Sequence, residues 1–182
     1  TVTILSTLAT KLIENDNSAT LNLETISNYK TGLVTSLGLS TYTDSTGSPS
    51  HINPATGISI IHSDFIDTYN SELSNINHLL ISLVNTVSSV VSYETTNQSG
   101  TNDPMDIVIT SLSSIIKGNI DDKLNNPQSA TTIDLKNPDH ISGILQHIVD
   151  TNTDNGINVT NITNNQVNIS NLIANLNTEI SN

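Results

Sequence analysis

The sequence predicts a mainly α fold, an elongated helical bundle with a C-terminal coiled-coil arm that assembles as an oligomer. Apolar residues within residues 60–93 recur at alternating steps of three and four, the heptad spacing of packed helices. Residues 159–180 repeat this spacing. The apolar fraction is 35 %, below the ~45–50 % usual in globular domains, so we expect neighbouring copies to complete the buried interior.

Residues 1–40 are predicted to form an N-terminal helical pair. The first helix covers residues 3–13, and the second begins near residues 18–20 and ends at Gly38, which supplies the left-handed turn that often follows a helix. Residues 41–58 are rich in proline, glycine and serine, and this composition predicts a long loop or a joint between segments.

Residues 59–152 are predicted to form the core of the bundle around one long central helix. The predicted oligomer seam of this helix consists of Ile66, Leu73, Ile76, Leu80, Leu83 and Val87. Leu79, Val84 and Val91 widen the stripe, which favours a bundle core over a two-stranded zipper. The same stripe could be the inward face of a monomeric bundle, and that alternative stays open.

The second half of this core divides at clear helix signals. Asp103 followed by Pro104 predicts a helix start, with an N-cap acid and proline at the first helical position. Lys117-Gly118 is predicted to interrupt that helix. A short extended piece is expected at residues 133–135, and Pro138-Asp139 opens a further helix.

Residues 153–182 are predicted to form a coiled-coil oligomerisation arm. Its seam consists of Val159, Ile162, Gln166, Ile169, Ile173, Leu176 and Ile180. Isoleucine at both core positions favours three or more strands, and Gln166 would form a polar layer that fixes the register. The β-branched residues leave strands as an alternative to the helix.

Charge limits the partners that this chain can bind. It has five lysines, no arginine and 17 acidic residues, for a formal net charge of −12. Because phosphate backbones and anionic lipids are bound mainly by Lys and Arg, we expect neither a nucleic acid nor a membrane as a partner. The chain has no cysteine, so disulfides and thiolate chemistry are excluded.

No residue pattern in the sequence predicts a catalytic centre or a cofactor, and we expect a protein that is not an enzyme. The best metal motif is Asp150, Asn152 and Asp154, which have the spacing of the first ligands of a calcium-binding EF-hand loop. Asn155 replaces the glycine of that loop, and Asn161 replaces its last glutamate. A polar turn between helices explains this segment better than calcium binding does.

The arm, with the segment NVTNITNNQVNISNLIANL, resembles bacteriophage virion proteins of the fibre, whisker or connector kind. The resemblance covers mainly residues 155–182 and, more weakly, the central helix. This resemblance rests on isoleucine heptads with a glutamine layer and Asn, Thr and Ser flanks. It implies a non-enzymatic structural protein located in the virion, as a phage neck or tail appendage or a head–tail connector component. Its partners would be copies of itself, as a trimer or ring, and other virion proteins.

Two other functions stay open from the sequence. The first is an exported bacterial filament subunit, similar to flagellins and secretion-needle proteins, which also lack Cys and Trp. The second is an enzyme or a small-ligand domain. A filament subunit would form open head-to-tail polymers, whereas an enzyme would have a deep pocket with converging titratable groups.

Overall fold

A computed structural model of the chain describes residues 3–16, 22–38, 42–43, 49–50, 71–96, 103–125, 132–154 and 158–182. The helices in these ranges are α1 (Ile4–Glu14), α2 (Leu23–Ser36), α3 (Ser71–Thr95), α4 (Pro104–Asn125), α5 (Pro138–Asp154) and α6 (Thr160–Ile180). Two short strands, β1 (Tyr42–Thr43) and β2 (Pro49–Ser50), pair antiparallel, with Tyr42 opposite Ser50. The predicted mainly α class is confirmed.

The chain divides into two compact units, and each contains part of α3 and part of α4. Unit 1 comprises Thr1–Asn77 and Ile116–Thr132, and unit 2 comprises His78–Ile115 and Ile133–Asn182. The units group the chain differently from the four segments drawn from the sequence, 1–40, 41–58, 59–152 and 153–182. The division of the chain into those four segments as separate domains stays a prediction.

Local capping groups set the ends of the helices in unit 1. Thr3 Oγ1 accepts the backbone N–H of Ser6, and Ser6 Oγ accepts the N–H of Thr3, which forms a capping box before α1. Asn22 Oδ1 accepts the N–H of Thr25 at 2.8 Å, so α2 begins later than the sequence predicts. Gly38 follows α2 with φ of 68°, as predicted for the left-handed residue.

Aliphatic side chains fill the part of unit 1 formed by α1 and α2, which pack against each other. The buried apolar residues of these two helices and of the turn after α2 are Leu5, Leu8, Ala9, Leu12, Tyr29, Leu33, Val34 and Leu37. They recur at helical spacing, which explains why one face of each helix is buried.

The predicted interruption at Lys117-Gly118 is wrong, because α4 continues through both residues to Asn125. One glycine costs a helix only about 1 kcal/mol relative to alanine. Lys117 Nζ and Asp121 Oδ2 lie 2.7 Å apart in an ion pair that spans the glycine. The predicted helix start before α4 is confirmed, since Asp103 Oδ1 accepts the N–H of Met105 at 2.9 Å.

Two helical glycines provide a matched test of packing in unit 1. A Cβ added to Gly32 would lie 2.4 Å from Ile120 Cγ1, whereas a Cβ added to Gly118 meets nothing within 4 Å. We therefore expect Gly32→Ala to lower the free energy of unfolding by about 1–2 kcal/mol, through overpacking that outweighs the gain in helix propensity. Gly118→Ala should raise the same quantity by up to about 1 kcal/mol. Urea denaturation measures both, and equal signs would contradict this account.

Unit 2 has a core of aliphatic side chains from four helices and from the loop before α5. Its buried apolar residues are Leu79, Leu80, Leu83, Val84, Val87, Val91, Ile107, Val108, Ile109, Leu112, Ile133, Leu135, Ile141, Ile144, Leu145, Ile148, Val149, Val159, Ile162, Ile173 and Ala174. The widened stripe of the central helix is thus part of a core formed within one chain. Residues 133–135, where an extended piece is expected, form no strand, and Leu135 begins the turn before α5.

Among the helices that the structure describes, α3 contains one segment, Ser74–Thr95, long and apolar enough to cross a membrane. The buried side chains of this segment include Leu80, Leu83 and Val87, which belong to the core of unit 2. Core helices of soluble bundles have the same length and composition, so this property alone assigns no membrane span.

Candidate assembly surface

The candidate surface lies on α6, whose first turn is fixed by groups distant in sequence as well as by neighbours. Asn158 Oδ1 accepts the backbone N–H of Thr160 at 3.0 Å. Glu94, near the end of α3, accepts the N–H of Ile162 at 3.0 Å. A carboxylate at this position also interacts favourably with the positive end of the helix dipole. Because 68 residues separate Glu94 from Ile162, no local sequence signal could have predicted this contact.

One face of α6 is buried inside unit 2, where α6 packs along α5. The buried residues on this face are Ile162, Ser170, Ile173, Ala174 and Asn177. Two side chains also bond to neighbouring backbone. Gln166 Nε2 donates to the carbonyl of Ser142 at 2.8 Å and to its Oγ at 2.9 Å. Asn177 Nδ2 donates to the carbonyl of Leu135 at 2.7 Å.

These contacts change the interpretation of the C-terminal arm. The helix expected there is confirmed, and the strand alternative is excluded. An arm separate from the body is not confirmed, because Val159, Ile162 and Ile173 are buried within the same chain. Gln166, predicted to form a polar layer between copies, uses its amide on Ser142 of α5 instead.

A second face of α6 leaves apolar side chains in solvent. We call Ile169, Leu172, Leu176 and Ile180 the outer stripe. Leu172 is 53 % exposed, Leu176 41 % and Ile180 43 %, and Ile169 is half-buried. The stripe borders the buried face of α6 and extends over its second half. Val167, 69 % exposed, is nine residues from Leu176 and therefore lies on the opposite side of the helix.

Helix geometry explains why the predicted seam is divided between the two faces. Residues seven apart on a straight α-helix rotate by about 20° around its axis with each heptad. Both seam rows follow this rotation. In the first row, Val159 and Ile173 are buried and Ile180 is exposed. In the second row, Ile162 is buried and Leu176 is exposed. Ile162 and Ile180 are about five turns apart on the same side of the helix, so burial depends on the position along α6 as well. The ends of both heptad rows, together with Leu172 outside those rows, therefore form the outer stripe.

Charge is nearly absent from α6. Residues 158–178 contain no acidic, basic or histidine side chain, and Glu179 is the one charged residue of the helix. The chain as a whole has a net charge of −12. A contact made through α6 therefore requires no burial of carboxylates, which would be costly without partners.

The seam predicted on the central helix lies largely in the core of unit 2 and not at the surface. Leu80, Leu83 and Val87 are fully buried in unit 2, so they have no surface to present to a second copy. Ile76 is half-buried. Leu73 belongs to α3, but its side chain, like all of Ile66, lies outside the described residues.

The predicted calcium ligands lie in a helix, since Asp150, Asn152 and Asp154 belong to the last turns of α5. The side chain of Asp154 and residues 155–157, where the polar turn is predicted, lie outside the described residues. The Asn152 side chain is buried and donates to the carbonyl of Ile148 at 2.7 Å, while Asp150 accepts from Gln146. A helix at residues 150–154 differs from the loop conformation in which an EF-hand presents its first ligands. No group of three or more His, Asp or Glu side chains suited to a metal ion occurs within the part of the chain that the structure describes.

Unit 1 contains a small polar cluster around Tyr29. The hydrogen bond from Lys117 to Asp121 raises the pKa of Lys117 above its usual value. Burial raises the pKa of Tyr29, and a hydrogen bond with Asp16 acts in the same direction. Both shifts keep the phenol and the ammonium protonated at neutral pH, so neither group is suited to act as a general base there.

Unit 2 has an open groove of about 580 Å³ between α3 and the start of α4. Its lining includes Ser88, Asp103 and Met105. Asp103 Oδ1 accepts the backbone N–H groups of Met105 and Asp106. The carboxylate is thus used as a helix cap, and no lining residue is paired with a base that would activate a serine hydroxyl.

Comparison with known proteins finds no matching family model, no matching curated protein and no matching solved structure.

Proposed function

We propose that this protein is a non-enzymatic structural subunit of a virus particle, of the fibre, whisker or connector kind. It assembles with copies of itself through the outer stripe of α6. The observation that carries the assembly step is this stripe, in which Leu172, Leu176 and Ile180 are each more than 40 % exposed on an almost uncharged helix. The resemblance of residues 155–182 to phage virion proteins supports a virus particle as the assembly to which the subunit belongs.

The charge distribution supports α6 as the contact between copies. Two chains that each have a formal charge of −12 repel one another wherever their acidic surfaces approach. Residues 158–178 have no formal charge, so two copies can approach there with the least repulsion. Removing Leu172, Leu176 and Ile180 from water then supplies the favourable free energy.

The outer stripe is small compared with a standard interface, to which each partner contributes about 20–30 residues. We therefore expect the isolated chain to associate weakly, in the micromolar range. In a particle, several weak contacts acting together hold each subunit, because the first contact raises the effective concentration for the others.

The double substitution Leu176→Ser with Ile180→Ser tests this assembly surface. Sedimentation equilibrium should show reversible association of the natural chain and a dissociation constant at least about tenfold higher for the variant, the effect of about 1.4 kcal/mol. The thermal midpoint should change little, because both positions are solvent-exposed. Val167→Ser, on the opposite side of the same helix, is the control and should associate like the natural chain.

The size of the assembly separates the virion function from its alternative. A closed oligomer of a few copies supports the proposal, whereas open polymers visible by negative-stain microscopy would favour a filament subunit. A chain that stays monomeric up to several hundred micromolar would contradict both functions. An equal loss of association in Val167→Ser would show that the outer stripe is not the contact.

A further inference from the structure

We infer that two copies of the chain pair their α6 helices antiparallel, about a two-fold axis near residues 174–175. This inference rests on the proposed function and adds the partner, the register and the orientation of the contact. It contrasts with the parallel trimer that the isoleucine heptads favour when the sequence is considered alone.

The surface that is free to pair covers only part of α6. In the first half of α6, Ile162 is fully buried and the Gln166 amide is bonded to Ser142. A parallel coiled coil over residues 159–180 needs the a and d residues of this range free to contact the partner helix. Exposed apolar surface exists in the second half, from Ile169 to Ile180. Two copies can therefore overlap over this half of the helix and not over its full length.

The outer stripe is nearly symmetric about its middle. Leu172 and Leu176 lie at nearly equal distances from residues 174–175, and so do Ile169 and Ile180. A two-fold axis at that point places Leu172 opposite Leu176 of the second copy and Ile169 opposite Ile180. The stripe is then complementary to itself, as an isologous dimer interface requires.

Electrostatic repulsion at the end of α6 favours the antiparallel orientation. Glu179 is the one charge of α6, it lies in the last turn, and no basic residue accompanies it there. Parallel pairing would place two Glu179 carboxylates and two negative ends of helix dipoles side by side. Antiparallel pairing separates the two carboxylates, places each near the uncharged residues 168–170 of the other copy, and opposes the dipoles.

Disulfide trapping tests this orientation cleanly, because the chain has no natural cysteine. We would prepare Ile180→Cys in normal isotopes and Ile169→Cys labelled with ¹⁵N, each alone and as an equimolar mixture under mild oxidation. Mass spectrometry then separates mixed from self-linked dimers. In the antiparallel pair, two copies of position 180 lie about 16 Å apart along the helix axis, too far for a disulfide, whose Cβ atoms must lie about 3.5–4.5 Å apart. Positions 169 and 180 lie opposite each other.

The expected result is a mixed 169–180 disulfide at least tenfold more abundant than either self-linked dimer. Val167→Cys, on the opposite side of α6, is the control for random collision and should form no more dimer than the background. Circular dichroism of each variant should match that of the natural chain, which verifies that the substitutions leave the helices intact.

Each other outcome overturns a distinct claim. Predominant self-linking of Ile180→Cys would establish parallel pairing and refute the antiparallel orientation, while the proposed function would stand. Association in sedimentation without trapping at either position, or with equal trapping at Val167→Cys, would place the contact elsewhere and refute the inference. A natural chain that is monomeric throughout would refute the proposed function itself.

Discussion

Asn177→Asp is expected to destabilise the protein by about 3–5 kcal/mol at neutral pH, the usual cost of an uncompensated buried charge. Asn177 is completely buried, and its Nδ2 donates to the carbonyl of Leu135 at 2.7 Å. The substitution removes the donor and places a carboxylate oxygen against a carbonyl oxygen. Urea denaturation followed by circular dichroism measures the loss.

The control for this prediction is the same substitution at Asn171, which is exposed on the same helix. We expect Asn171→Asp to change the free energy of unfolding by no more than about 0.5 kcal/mol. The difference in the free energy of unfolding between Asn177→Asp and the natural chain should also become smaller at low pH. A protonated carboxyl can donate to Leu135 again, and a buried acid favours its protonated form. Equal effects at the two positions would mean that the bond to Leu135 contributes nothing.

Leu145→Ala is expected to lower the free energy of unfolding by about 2–5 kcal/mol. Leu145 is completely buried in unit 2. The substitution removes apolar contacts and leaves a cavity that its aliphatic neighbours fill only in part. The urea concentration at the midpoint of denaturation should fall. The slope of the free energy of unfolding against urea concentration should stay the same.

Leu172→Ala is the matched control, since it removes the same atoms from a side chain that is 53 % exposed. Its free energy of unfolding should change by less than about 1 kcal/mol, because little packing is lost. Its self-association should weaken, as expected for a member of the outer stripe. If the two leucines had equal effects on unfolding, the placement of Leu172 on an exposed face of α6 would be wrong.

Local patterns in the sequence predicted where helices occur and several of their ends. The Asp103-Pro104 start, the left-handed Gly38 and the helix over the arm depend on residues within one or two turns of each other. Where two local signals competed, the sequence was less informative. Gly118 favours an interruption, but α4 continues through it, spanned by the Lys117–Asp121 ion pair.

The sequence could not predict which chain would cover a given apolar stripe. The heptad pattern of residues 159–180 required an apolar partner, and unit 2 of the same chain, α5 included, provides it for one face of α6. The contacts that decide this, from Gln166 to Ser142 and from Asn177 to Leu135, join residues 24 and 42 positions apart. Candidate residues for assembly are therefore those at the end of the heptad rows.

By itself, then, the sequence determined that the chain is mainly helical, strongly acidic and equipped with apolar heptads. Tertiary structure alone decided which members of those heptads are core and which are surface. The physical reason is that hydrophobic burial has no direction: a periodic stripe is stabilised equally by any apolar surface that excludes water from it. Only the packed helices identify that surface, and they leave Leu172, Leu176 and Ile180 in solvent.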